Sequence, residues 1–185
     1  MPQRYIDTTL FDLFKVGPGP SSSHTIGPMK AGHHFAETCA ALPRDLLVRA
    51  VRFRVRLYGS LSATGTGHGT DAAVVAGLLG TAPESCPAGL LQELMDDPHT
   101  RRKRSLGDGQ VSVCVDDVSH DAIIHDFPYS NTLVADLLDA EDNVLHSQEY
   151  YSVGGGFIQW KGWEPPLLGE PVHRYSNMSE LRSIV

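Results

Sequence analysis

Residues 51–58, VRFRVRLY, alternate strictly between Val51, Phe53, Val55 and Leu57 on one side and Arg52, Arg54, Arg56 and Tyr58 on the other. A period of two sends successive side chains to opposite faces, so this segment is a strand with one buried face and one face carrying three guanidiniums. Those arginines are expected to stay solvated or to pair with acidic neighbours; a partner surface or an anion path is the alternative. Helical patterns surround the strand early in the chain and strand patterns follow it. A helix is predicted over Thr25–Leu42, with Met29, His33, Ala36 and Ala40 near one face, and others over Ala72–Leu79 and from Pro87 to about Lys103. Strands are predicted over Gln110–Val115, Ala122–His125 and Phe157–Trp160, with a hairpin of Thr132–Leu138 and Val144–Val153 turning at Ala140–Asn143. That order predicts an α+β fold, a mixed and largely antiparallel sheet with helices packed on it, over a regular βαβ repeat. Near the start, Thr8 or Thr9 caps a short helix through a Thr-x-x-Asp box with Asp12, and Gly17–Pro20 ends it. Ser176–Val185 reads as a capped helix that has barely begun, as in one portion of a longer polypeptide.

A chain of 185 residues, 41% hydrophobic and 20% charged, fits one soluble domain with a proper core. No apolar run approaches the roughly 20 residues of a membrane span. The N-terminus lacks the pattern of a signal peptide, so the cytoplasm is the expected compartment and no membrane is expected as a partner. The net charge of −7 argues against nucleic acid, whose binding relies on neutralising phosphates. The one basic run, Arg101–Arg104, is expected to be a solvated helix end, where cations suit the helix dipole. Cys39, Cys86 and Cys114 form no C-x-x-C pair and read as buried small hydrophobes, not as metal ligands.

Three segments carry the chemistry. In Gly19–Pro28, GPSSSHTIGP, a loop fixed by glycine and proline becomes a helix. Helix starts present unpaired N–H groups and favour negative charge, and Ser21, Ser22, Ser23 and Thr25 add donors to the same spot. His24 adds a group that titrates near neutrality, so the stretch suits a small anion such as a carboxylate. In Gly65–Asp71, GTGHGTD, glycines hold His68 at an exposed turn before a helix; Gly67 and Gly69 permit close approach, Thr70 and Asp71 cap the helix, or Asp71 orients the imidazole. In Tyr150–Phe157, YYSVGGGF, the run Gly154, Gly155, Gly156 indicates a bulge, a turn, or a place where a ligand presses close. Dinucleotide binding is disfavoured because Thr70 occupies the third glycine slot of G-x-G-x-x-G. A serine hydrolase pairing Ser22 or Ser23 with His68 and Asp71 lacks the G-x-S-x-G elbow, and a histidine metal site lacks H-E-x-x-H.

Taken together, GPGPSSSHTIGPMKAG (17–32), GHGTDAAVVAGLLG (67–80) and YYSVGGGFI (150–158) resemble the β portion of the iron–sulfur-dependent L-serine dehydratases of bacteria. The resemblance implies a β domain over residues 1–165, with 166–185 a linker and the start of a following segment. It also implies a fold like the anion-binding regulatory domain of some phosphoglycerate dehydrogenases. The family turns L-serine into pyruvate and ammonia, in serine catabolism and gluconeogenesis, with a [4Fe–4S] cluster whose cysteine-free iron acts as a Lewis acid on the leaving hydroxyl. The cluster is expected in a separate catalytic (α) domain or subunit, this chain's principal partner, with L-serine or another small carboxylate as ligand and a homo-oligomer as the assembly. His68 and His24 are then the acid–base candidates, with Ser21, Ser22, Ser23, Thr25, Gly67, Gly69, Thr70, Asp71, Asn131 and Gly154–Gly156 contacting substrate or effector. The runner-up is a stand-alone allosteric module that binds a carboxylate and performs no chemistry; a third reading is a domain that merely covers the cluster cleft. One departure stands out. Where the family tends to carry a histidine before the asparagine after the middle strands, this chain has Ser130 before Asn131, and His125 is expected to face a different way.

Overall fold

The apolar stripe of residues 51–58 finds its layer in two helices, and the rest of the architecture follows from that pairing. The structure is a computed structural model and describes residues 14–164 and 175–184. Residues 15–161 pack as one unit. The capped helix expected at Thr8, Thr9 and Asp12 lies outside the described residues. A five-residue π-type turn, Ser22–Ile26, runs into helix α1 (Gly27–Ala40), followed by α2 (Arg44–Arg49) and strand β1 (Arg52–Gly59). Next come α3 (Ser60–Thr64), a 3-10 turn at Thr66–His68, α4 (Thr70–Leu78) and α5 (Leu90–Asp96). Strands β2 (Arg102–Leu106), β3 (Gly109–Val113), β4 (Val118–His120), β5 (Asn131–Leu138), β6 (Val144–Gly154) and β7 (Phe157–Trp160) complete the unit. A further helix, α6 (Met178–Ile184), belongs to the other unit; its start is tied by Asn177 Oδ1, which accepts from Glu180 N at 3.0 Å.

The sheet runs β2-β3-β1-β5-β6-β7, with β4 also paired to β1. β1 is antiparallel to β5 over eight residue pairs, from Arg52 opposite Leu138 to Gly59 opposite Asn131. Its other edge is shared by β3 and β4, both parallel to it and separated by a 3-10 turn at Val115–Asp117. The remaining pairings are antiparallel. The fold is therefore α+β with a mixed sheet, as its order of patterns predicts. Phe53, Val55 and Leu57 are fully buried against Met29, Phe35, Val74, Leu78, Leu133 and Tyr150. Every residue of α4 is buried, and it crosses α1 closely enough that a Cβ on Gly77 would lie 2.1 Å from the Met29 carbonyl oxygen.

The guanidinium face pairs with acids. Arg54 and Arg56 both reach Asp136, whose side chain is 1% exposed, at 2.7 and 3.2 Å, and Ser147 Oγ donates to its other oxygen at 2.7 Å. Arg52 reaches Asp142 and Asp117.

Three expectations need correction. The helix predicted from Pro87 to Lys103 is only Leu90–Asp96: Gly89, at φ +88°, starts it, and the chain leaves it before Pro98. Arg101–Arg104 is consequently no helix end; Arg102–Arg104 open β2, and pairing with β3 overrides their helical propensity. Arg101 bonds Asp117, Arg102 bonds Glu93 and Arg104 bonds Glu37. The strand predicted at Ala122–His125 is displaced to Val118–His120, where partners on β1 exist, leaving Ile123 and Ile124 exposed. Ser60–Gly69, rich in glycine and hydroxyls, folds mostly into helical turns.

Candidate functional site

Two short segments that are distant in sequence meet at the start of α1. Ser21 begins the turn: its backbone carbonyl accepts from Thr25 N and Ile26 N, both at 3.1 Å, and its hydroxyl accepts from His24 N at 3.1 Å. The bond from Ile26, five residues on, makes this a π-type turn, a geometry frequent at functional sites. It uses up three N–H groups; those of Ser22 and Ser23 have no acceptor among the described residues. Ser22 is exposed and Ser23 half-buried.

The second segment is hung on the first. Thr25 Oγ donates to the His68 carbonyl at 2.9 Å, and Thr70 Oγ donates to the His24 carbonyl at 2.5 Å. Both threonines are fully buried, so they act as rivets between the segments. The rings of His24 and His68 then lie 4.9 Å apart, tilted by 39°.

The two imidazoles are held differently. His24 has a hydroxyl at each nitrogen: Ser23 Oγ at 2.9 Å from Nδ1 and Ser60 Oγ at 3.0 Å from Nε2. Burial, and then the neighbouring His68, push it below the ordinary histidine value of 6.5, against an upward pull from Ser60. It is accordingly neutral at neutral pH. His68 Nδ1 faces the Thr64 carbonyl at 2.8 Å. A carbonyl only accepts, so Nδ1 carries the proton and the lone pair of neutral His68 sits on Nε2. No described residue bonds Nε2. A half-buried imidazole with a fixed tautomer and a second nitrogen that no described residue bonds is equipped to accept a proton there.

Ser60 is the site residue that spacing could not reveal, because it meets His24 across 36 positions. It is delivered by Gly59 at the end of β1, where φ is +59° and a Cβ would lie 2.1 Å from the Ser130 carbonyl oxygen. His125 closes over the same glycine. Its Nδ1 accepts from Phe127 N at 3.1 Å, and its Nε2 would lie 2.6 Å from a Cβ on Gly59.

A family model described as serine dehydratase beta chain matches residues 9–163. The chain belongs to that family. It is 40% identical to L-serine dehydratase 2 of Escherichia coli over 183 residues, which are 94% of this chain and 39% of that protein. It is 40% identical to the L-serine dehydratase of Streptomyces coelicolor over 155 residues, 81% of this chain and 33% of that one. With that of Haemophilus influenzae it shares 37% identity over 153 residues, again 81% and 33%. The chain thus spans about a third to two-fifths of the length of these relatives.

In this member of the family, the other motif residues fall around the paired histidines in different ways. Gly69, at φ +64°, joins the 3-10 turn to α4, and Gly67 lies on the exposed outside of that turn. Asp71 faces His120 instead of His68, with its oxygens 3.0 and 3.2 Å from Nε2. Gly154, Gly155 and Gly156 make the turn from β6 to β7, all with positive φ, and a Cβ on Gly156 would lie 3.1 Å from Ile26. The strand before that turn is pinned to the serine loop: Ser152 Oγ donates to the Ser23 carbonyl at 2.8 Å. Asn131 Nδ2 reaches toward the Ser152 carbonyl at 3.5 Å, and its buried Oδ1 has no partner among the described residues.

The thiols do not fit a cluster. Cys39 is fully buried in the apolar core with its thiol pushed up to about 12 by burial, and Cys114 faces the Asp117 carboxylate. Among the described residues no three His, Cys, Asp or Glu side chains converge as metal ligands. No described helix is long and apolar enough to cross a membrane.

Proposed function

We propose that this chain is the β portion of an L-serine ammonia-lyase, which converts L-serine to pyruvate and ammonia together with a catalytic portion outside this chain. The observation that carries the proposal is His68: a fixed Nδ1–H and a free Nε2, beside a neutral His24 and a loop of hydroxyls. The relatives' name supplies the reaction, and their extra length supplies room for the partner. In this reading His68 Nε2 takes or returns the proton that moves during elimination. The N–H groups of Ser22 and Ser23, with the Ser21–Thr25 hydroxyls, receive the substrate carboxylate at the positive end of a helix. His24 orients Ser23 and Ser60. Asn131 Oδ1, an acceptor without a donor among the described residues, suits the ammonium group, with the Gly154–Gly156 turn and Gly67–Asp71 as walls.

The [4Fe–4S] cluster belongs, in this proposal, to the catalytic domain or subunit, and the assembly is a cytoplasmic homo-oligomer acting in serine catabolism. Ile123 and Ile124, 62% and 93% exposed on the loop that follows β4, lie on the surface assigned to that contact. The same hydroxyl loop supports a second reading, a carboxylate-sensing allosteric module like the regulatory domain of some phosphoglycerate dehydrogenases. Pyruvate release from L-serine separates the two. The chain alone and the catalytic portion alone are expected to be silent and the pair active. Tight serine binding by the chain alone in calorimetry, with full activity of the catalytic portion on its own, would replace the first reading by the second.

A further inference from the structure

His120 lies outside every motif above, yet it touches both flanks of the segment that presents His68. It ends β4, which is anchored on the sheet by parallel pairing of His120 with Leu57. Its Nδ1 faces the Ser62 carbonyl in α3 at 3.0 Å. Its Nε2 lies between the oxygens of Asp71 in α4, 3.0 Å from Oδ1 and 3.2 Å from Oδ2, with hydrogen-bond geometry to Oδ2 alone. Both partners are acceptors only, so both bonds form together only when both ring nitrogens carry protons. The Asp71 side chain is 10% exposed, which leaves the carboxylate little water to turn to if the imidazolium is lost.

We propose that His120 is a positioning residue, a protonated clamp that ties α3 to the start of α4 and thereby holds His68 in its working tautomer and orientation. The proposal rests on His68 as the working imidazole. Between the clamped residues 62 and 71 lie both the Thr64 carbonyl that fixes His68 Nδ1 and the His68 carbonyl that Thr25 grips. Burial draws His120 downward, but the Ser62 carbonyl and the Asp71 carboxylate outweigh it and raise it above the ordinary 6.5. The other groups nearby are already engaged: Asp121 accepts from Ser119 Oγ at 3.1 Å, and β1 presents the uncharged Leu57. A raised histidine contributes its full stabilisation below its unfolded value, and that contribution is lost as pH rises through the folded value. Loss of the proton leaves a lone pair facing the Asp71 carboxylate, so the clamp opens on the alkaline side.

The test is nitrogen-15 NMR of the imidazoles in the whole chain, titrated from pH 5 to 9, with Asp71→Asn and His120→Gln beside the wild type. The wild type should show His120 titrating above 6.5, with the neutral form of His68 carrying its proton on Nδ1 alone as long as His120 keeps its own. Asp71→Asn should lower the His120 titration by about one pH unit or more, and both variants should give a mixed His68 tautomer. Ser62 Oγ also donates to the carbonyl of Asp121, the residue after β4, at 2.7 Å, so α3 keeps one tie to that end of the strand in either variant. His120 titrating at or below 6.5 in the wild type would overturn the clamp. So would an unchanged His68 tautomer in His120→Gln, or in Asp71→Asn should the former not fold. If the NMR result holds while turnover of the assembled enzyme ignores both variants, the clamp stands and the assignment of His68 to catalysis falls.

Discussion

At the scale of single residues, two similar rings 4.9 Å apart are held in different ways. His24 is surrounded by hydroxyls, and burial lowers its proton affinity; His68 is held by one carbonyl and open at the other nitrogen. His34 and His146 are also pushed below 6.5 by burial. A histidine depressed in the folded state contributes stability above its unfolded value and loses it as pH falls toward the folded value. Chemical unfolding midpoints should therefore decline as pH drops below about 6.5. His34→Gln, which can still bond the Tyr150 hydroxyl that His34 Nδ1 now meets at 2.8 Å, should flatten that decline. An unchanged pH slope in His34→Gln would show that His34 titrates alike in both states.

At the scale of elements, the crossing of α1 and α4 sets where the two histidine segments meet. A Cβ at Gly77 would lie 2.1 Å from the Met29 carbonyl and one at Gly32 would lie 2.4 Å from the Val74 carbonyl, both backbone atoms that cannot swing aside. Gly77→Ala should cost about 1–3 kcal/mol in a thermal melt, overpacking outweighing the gain of about 1 kcal/mol in helix propensity. A neutral or stabilising result would mean the helices are free to separate. Asp136→Ala should cost a similar amount, about 1–3 kcal/mol, because it strips an acceptor from two arginines; each is about a third exposed, so water recovers part of the loss. Denaturant unfolding checks it. The α+β order was legible because β1 alternates cleanly and β5 and β6 flank an acidic turn. Arg101–Arg104 misled because a run of long side chains fits a helix end or an edge strand equally well, and only β3 decides between them. The serine and glycine motifs announced themselves by composition. Ser60 and His120 did not, because their partners lie 36 and 49 positions away and no local pattern encodes such a contact.

At the scale of the whole molecule, the chain brings two imidazoles beside a loop of hydroxyls, but no group of side chains suited to a metal among its described residues. Its relatives are two and a half to three times as long as the matched region. Ile124→Asp should weaken association with the catalytic portion at least tenfold in a pull-down or ultracentrifugation series while leaving the chain's own melt unchanged; undiminished association would place the contact elsewhere. The central claim is that His68 serves the reaction of the assembled enzyme. It is tested most directly by kcat for L-serine with His68→Ala in this chain, the catalytic portion being supplied in its active form. A fall of about 10²–10⁴-fold, with the complex still assembled, is the predicted result. Turnover within about twofold of wild type would contradict it and leave this chain a binding or covering domain, since a positioned acid–base group contributes far more than that.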